Sequence, residues 1–159
     1  YFLNNEMDDF SSKPGVPNMF GLLGGKANAI EPQKRMLSAM TPTIVERDGK
    51  LAMILGTPGG STIITSVLQT LLNVYEFKMD IQKAVTAPRF HHQWLPDVIV
   101  FEPNSFNASL IEKLQAKDYN ITEEYSRIIG RVDAILISES NQISTGADPR
   151  GDDTAVHLY

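Results

Sequence analysis

The chain has 159 residues, 42% hydrophobic and 21% charged, which fits one ordinary globular domain able to bury a sizeable core. A formal charge of -5 with 14 scattered Lys and Arg leaves no basic footprint for nucleic acid, and no apolar run is long enough to span a membrane. There is no Cys, so disulfides, thiolate nucleophiles and thiolate metal ligands are excluded together.

The start at Tyr1, with neither an initiator Met nor a basic, apolar signal segment, reads as a chain cut from something longer. From Tyr1 to Met40 it is rich in Gly, Pro, Asn and Ser and holds no sustained period, which predicts an extended, looped segment. Thr43-Ile-Val-Glu-Arg and Leu51-Ala-Met-Ile-Leu flank Asp48-Gly49, the dipeptide of tight turns with positive φ, and predict a β-hairpin. After Gly56-Thr-Pro-Gly-Gly-Ser61, the spacing of Ile64, Val67, Leu68, Leu71, Leu72 and Tyr75 predicts a helix over 62–75 with that stripe on a sheet.

Asp80 is placed to cap a second helix that stops near Ala87, because the residue before Pro88 is pushed out of the helical region. A loop over Arg89 to Pro96 follows, then a strand over Val98 to Phe101 and a short helix from Asn107 or Ser109 to Lys117 with Leu110, Ile111 and Leu114 inward. Further strands are predicted over Tyr119 to Thr122, Val132 to Ser138, Gln142 to Thr145 and around Ala155 to Leu158. Strands and helices alternate in clumps without repeats or a linker, which favours a single layered α+β domain over 1–159.

Two adjacent glycines, Gly59 and Gly60, between a strand and a helix can aim bare N–H groups at an oxygen, as an oxyanion requires; a tight turn chosen for φ alone is the alternative. No Gly-Lys-Ser/Thr follows, so this is not a phosphate-binding P-loop. Glu6 and Asp9, among amide side chains, can hold a substrate ammonium, hold a metal, act as acid and base, or form a solvated acidic loop; the spacing lacks the later residues of an EF-hand. Ser38 can donate to a carboxylate or be locally bonded. His91-His92 lacks a third ligand at zinc spacing and is read as bonding its own loop, Arg150 as tying down an acidic turn, and Trp94 and Met40 as core or interface residues.

In this order the segments Asn4-Asn-Glu-Met-Asp-Asp-Phe-Ser11, Lys13-Pro-Gly-Val-Pro-Asn18, Lys34-Arg-Met-Leu-Ser38, Met40-Thr-Pro-Thr-Ile44, Pro58-Gly-Gly-Ser61, Ala87-Pro-Arg-Phe-His-His-Gln-Trp-Leu-Pro96 and Asp148-Pro-Arg150 closely resemble the small subunit of γ-glutamyltranspeptidases. The resemblance implies an N-terminal-nucleophile-hydrolase-like αββα sandwich, here a partial domain without its N-terminal strands and the large subunit. It implies a precursor that cuts itself to expose an N-terminal Thr, which takes the γ-glutamyl group of glutathione or a similar amide and passes it to water or an amino acid. It gives Gly59 and Gly60 the oxyanion hole, Glu6 and Asp9 the substrate α-ammonium and Ser38 its α-carboxylate, with no cofactor.

Where the family usually has a Ser pair this chain has Ser38-Ala39, so one hydroxyl contact to the α-carboxylate, of about 0.5–1.5 kcal/mol, is missing or replaced. The family's Thr precedes the Asn4-Asn5 motif and its carboxylate-clamping Arg belongs to the large subunit. The expectation is therefore a C-terminal piece of a γ-glutamyltransferase or glutathione hydrolase small subunit, inactive alone, self-associating through surfaces its partners would cover, and periplasmic or extracellular by family habit. Two other readings compete: a non-catalytic relative that keeps the pocket as a binding or structural module, and an acyltransferase on poly-γ-glutamate.

Overall fold

The computed structural model describes residues 6–123 and 129–156, and the chain folds as two compact units, Tyr1–Met40 and Thr41–Tyr159. Asn4 and Asn5 of the first motif, and residues 157 and 158 of the last expected strand, lie outside the described residues.

The first unit is the looped segment its composition calls for. One-turn 3-10 helices at Met7–Asp9 and Lys26–Asn28 are its only helical pieces among the described residues, and isolated bridges pair Ser11 with Ala29 and Pro17 with Leu23. Gly24 lies so close to Ser11 that a side chain there would collide with its hydroxyl.

The second unit contains a four-stranded antiparallel sheet built from β1 (Thr43–Arg47), β2 (Lys50–Gly56), β6 (Asp133–Ile137) and β7 (Ile143–Gly146), in that order. Arg47 pairs with Lys50 across Asp48 (φ 52°) and Gly49 (φ 72°), so the hairpin turn has the two positive φ values its sequence calls for. Alternation decides the faces: Val45, Met53, Leu55, Ala134 and Leu136 point to the core, and the intervening Ile44, Ile54 and Ile135 pair across the other face.

The core face is covered by α1 (Ile63–Tyr75) and α2 (Ile81–Thr86). Asp80 caps α2 by accepting from the Lys83 N–H at 2.8 Å, and the helix ends at Ala87, ahead of Pro88. At Gly146 an added Cβ would lie 2.9 Å from the Ile81 carbonyl, so the glycine lets β7 and α2 approach backbone to backbone.

A smaller sheet pairs β3 (Phe90–His91) antiparallel to β4 (Ile99–Phe101), which runs parallel to β5 (Ile121–Thr122), and α3 (Ala108–Gln115) connects the last two. Asn107 caps α3 through the Ser109 N–H at 2.9 Å. Phe101 and Phe106 meet edge to face at 4.7 Å.

Several expectations need correction. The face of α1 toward the core is Ile63, Ser66, Val67, Thr70 and Val74, whereas Ile64, Leu68 and Leu72 point away and are exposed. Leu110 of α3 is likewise exposed, because that helix buries no residue fully. Residues 155 and 156 form no strand, and the stretch read as a loop from Arg89 to Pro96 contains β3. Of the core and interface readings for Trp94 and Met40, their exposure rules out the core.

Candidate active site

β2 ends at Gly56, and the chain reaches α1 through Thr57-Pro-Gly-Gly-Ser-Thr62, whose last three residues form a 3-10 turn. Gly59 has φ 141° and Gly60 has φ 57°, backbone conformations that side chains disfavour, and a Cβ on Gly59 would also collide with the Thr62 hydroxyl. Among the described residues neither the Gly59 nor the Gly60 N–H donates a hydrogen bond, although the Gly59 carbonyl accepts from the Thr62 N–H at 3.1 Å and the Thr62 hydroxyl at 2.9 Å. Two unengaged N–H groups at the start of a helix are suited to bind an anion.

This loop rests on a second strand entry. A Cβ on Gly59 would meet the Gly130 backbone at 3.5 Å, and Gly130 (φ 69°) packs against Ser66 and Thr57 so tightly that a side chain would lie 2.5 Å from the Ser66 hydroxyl. The Arg131 N–H donates to the Thr57 hydroxyl at 2.6 Å.

Behind Gly130 lies a buried ion network. Arg89 and Asp148, each 1% exposed, are joined at 2.6 Å, and Arg89 also donates to the carbonyls of Ile129 at 3.1 Å and Val85 at 2.5 Å. Asp148 accepts in addition from the Val132 N–H at 2.9 Å. Arg150 grips Glu102 with two bonds of 2.6 Å, reaches Asp148 at 2.9 Å and closes the end of α2 through the Ala87 carbonyl at 3.1 Å.

Two cations and two carboxylates thus neutralise one another, Arg89 and Asp148 sealed from water and Arg150 and Glu102 partly buried. Burial alone raises the Asp148 carboxyl, but the N–H groups of Arg150 and Val132 and the Arg89 guanidinium outweigh it and hold the group below its ordinary value. Burial opposes the charge of Arg150 as well, and the Glu102 carboxylate overcomes it and raises that guanidinium. Arg150 therefore ties down its acidic turn, as read from sequence, and with Arg89 also braces the strand entry behind Gly59.

His91 is buried, with Nδ1 2.9 Å from the Thr65 hydroxyl and Nε2 2.9 Å from the Gln93 side-chain oxygen; His92 lies 3.1 Å from Asp97. Both histidines bond within and beside their loop. No group of three His, Asp or Glu among the described residues is placed to hold a metal ion.

The remaining sequence-selected residues belong to the first unit. Glu6 precedes and Asp9 ends one 3-10 turn, in which the Asp9 N–H donates to the Glu6 carbonyl at 3.1 Å; Glu6 is exposed and Asp9 half-buried. Ser38 is exposed, and its hydroxyl accepts from the Met40 N–H at 3.4 Å. Sequence reading missed Asn28. Its side chain donates to the Asp9 carbonyl at 2.7 Å and accepts from the Leu37 N–H at 2.9 Å, so one amide ties the Glu6–Asp9 turn to the segment carrying Ser38. Asn in a Gly-rich loop gives no local signal of that role, because both partners are distant in sequence.

Fold and sheet pairing define a mixed α/β protein whose sheets match those of solved γ-glutamyltranspeptidases: over 100% of this chain and 82% of the matched chain, it superposes with a TM-score of 0.88 and 46% identity on gamma-glutamyltranspeptidase from Pseudomonas nitroreducens complexed with L-DON. The Gamma-glutamyltranspeptidase family model matches residues 1–158, and the chain belongs to that family. It is 46% identical over 157 residues to the glutathione hydrolase proenzyme of Escherichia coli and 49% identical over 153 residues to that of Pseudomonas aeruginosa. These matches take up 99% and 95% of this chain, which spans 27% of the length of each proenzyme.

Proposed function

We propose that this chain works as part of the small subunit of a glutathione hydrolase or γ-glutamyltransferase, within an αββα sandwich completed by the rest of a longer precursor. The observation that carries the reading is the pair of unengaged N–H groups at Gly59 and Gly60, held at positive φ between β2 and α1. Support also comes from the end-to-end family match and from relatives named as glutathione hydrolase proenzymes.

In this reading a Thr at the new N-terminus of the processed small subunit attacks the γ-carbonyl of the donor, its α-amine taking the hydroxyl proton. The carbonyl oxygen becomes an oxyanion, and the Gly59 and Gly60 N–H groups stabilise it. The amine leaves with a proton, and water or an amino acid then releases the γ-glutamyl ester. Glu6 and Asp9 hold the donor's α-ammonium and Ser38 its α-carboxylate, with the large subunit supplying the opposing cation. The reaction needs no cofactor in this scheme, and a periplasmic or extracellular site of action accompanies it.

The test is release of p-nitroaniline from γ-glutamyl-p-nitroanilide by the processed precursor carrying this chain. Activity is expected there and not in the 159-residue chain alone, and Glu6→Gln should raise KM by about tenfold, the equivalent of about 1.4 kcal/mol of lost ammonium binding. Turnover by the chain alone, or an unchanged KM in the Gln variant, would contradict the proposal.

A further inference from the structure

The two amide donors of the loop are edges of two consecutive peptide planes, and each plane has its opposite edge pinned by a threonine. In a trans peptide the carbonyl and the following N–H point in opposite directions, and the only cis bond among the described residues is Leu95–Pro96. Whatever fixes the Pro58 carbonyl therefore aims the Gly59 N–H, and whatever fixes the Gly59 carbonyl aims the Gly60 N–H. The Thr57 hydroxyl donates to the Pro58 carbonyl at 2.6 Å. The Thr62 hydroxyl donates to the Gly59 carbonyl at 2.9 Å.

Glycine supplies no stiffness of its own, so these hydroxyls add to the hold on each plane, the Gly59 carbonyl also accepting from the Thr62 N–H at 3.1 Å. Neither threonine is loose. The Thr57 hydroxyl gives its proton to the Pro58 carbonyl and accepts from the Arg131 N–H at 2.6 Å, which ties it to the strand entry braced by Arg89 and Asp148. The Thr62 carbonyl accepts from the Ser66 hydroxyl at 2.8 Å and the Thr65 hydroxyl at 3.1 Å. The Thr65 hydroxyl also lies 2.9 Å from His91 Nδ1.

We propose that Thr57 and Thr62 are positioning residues for acyl transfer, each orienting one oxyanion-binding amide through the carbonyl on the far edge of the same peptide plane. The inference rests on the acyl-transfer reading above. Neither side chain need touch substrate, so their loss should leave donor binding intact and weaken only stabilisation of the transition state.

The experiment compares Thr57→Val, Thr62→Val, Thr57→Ser and Thr62→Ser in the precursor carrying this chain, with γ-glutamyl-p-nitroanilide as donor and rates divided by the amount of processed small subunit on a gel. Outright loss of one such donor costs about 10²–10³ in kcat, so a misaimed amide is expected to cost about tenfold in either Val variant, with KM within about twofold and Ser restoring kcat to within about threefold. Two separate positions keep the test decisive if one Val variant is not processed. An active wild type whose processed Val variants keep kcat, or lose KM and kcat together, overturns the assignment to the threonines. An inactive, fully processed wild type overturns the acyl-transfer reading and this inference with it.

Discussion

Asp148 is the carboxylate that joins both arginines of the network. One carboxylate oxygen receives both the Arg89 guanidinium and the Val132 N–H, the other receives the Arg150 N–H and guanidinium, and the side chain is sealed from water. Removing its charge leaves Arg89 buried without its counter-ion, so Asp148→Asn should cost about 3–5 kcal/mol in a denaturant titration. The pH dependence has a definite sign. Folding lowers the Asp148 value below its ordinary 3.8, so in acid the unfolded chain binds the extra proton. Its stabilisation is complete above about pH 5 and is lost as pH falls through the lower folded value, and that acid-dependent part should vanish in the Asn variant. An Asn variant with wild-type midpoint and wild-type acid profile would contradict this account. The pair was not legible from sequence because its members stand 59 residues apart and only the fold brings them together.

At the scale of elements, the contact of α2 with β7 depends on a missing side chain. Gly146→Ala places a methyl 2.9 Å from the Ile81 carbonyl, where only backbone movement relieves the overlap, and the variant should lose about 1–3 kcal/mol of stability; an unchanged melting curve would show that the helix can retreat freely. The β1–β2 hairpin and the end of α2 were legible because Asp48-Gly49 and Pro88 act locally on φ and ψ. The extent of α1 was legible from its helical spacing, but its orientation was not. Periodicity put Ile64, Leu68 and Leu72 inward, whereas the helix buries Ser66 and Thr70, whose hydroxyls bond the carbonyls four residues earlier at 2.8 and 2.9 Å. Such back-bonding satisfies a polar group inside the core, and an apolar stripe counted from sequence does not register it. Likewise the Gly59-Gly60 pair was visible as glycine, but the threonines that orient it were visible only once carbonyl partners were known.

Among the described residues of the second unit, α1 and the open face of the four-stranded sheet both leave apolar side chains uncovered. Ile64 and Leu68 of α1 are 66% and 51% exposed, and Ile44 on the open face of the four-stranded sheet is 67% exposed. Contiguous apolar patches of this kind mark contact surfaces. The isolated chain should therefore self-associate in sedimentation velocity at rising concentration, and Ile64→Glu with Leu68→Glu should shift it toward monomer without altering its circular dichroism. A wild-type chain that stays monomeric at high concentration would contradict that expectation.

The central claim, that Gly59 and Gly60 bind the oxyanion, is tested most directly by a crystal structure of the processed precursor carrying this chain, trapped with a tetrahedral adduct at the γ-carbonyl of a donor analogue. The account predicts the adduct oxygen about 2.7–3.1 Å from both the Gly59 and Gly60 nitrogens, with Thr57 and Thr62 still on the opposite edges of their peptides. An adduct oxygen directed away from both amides, toward solvent or another donor, would contradict it.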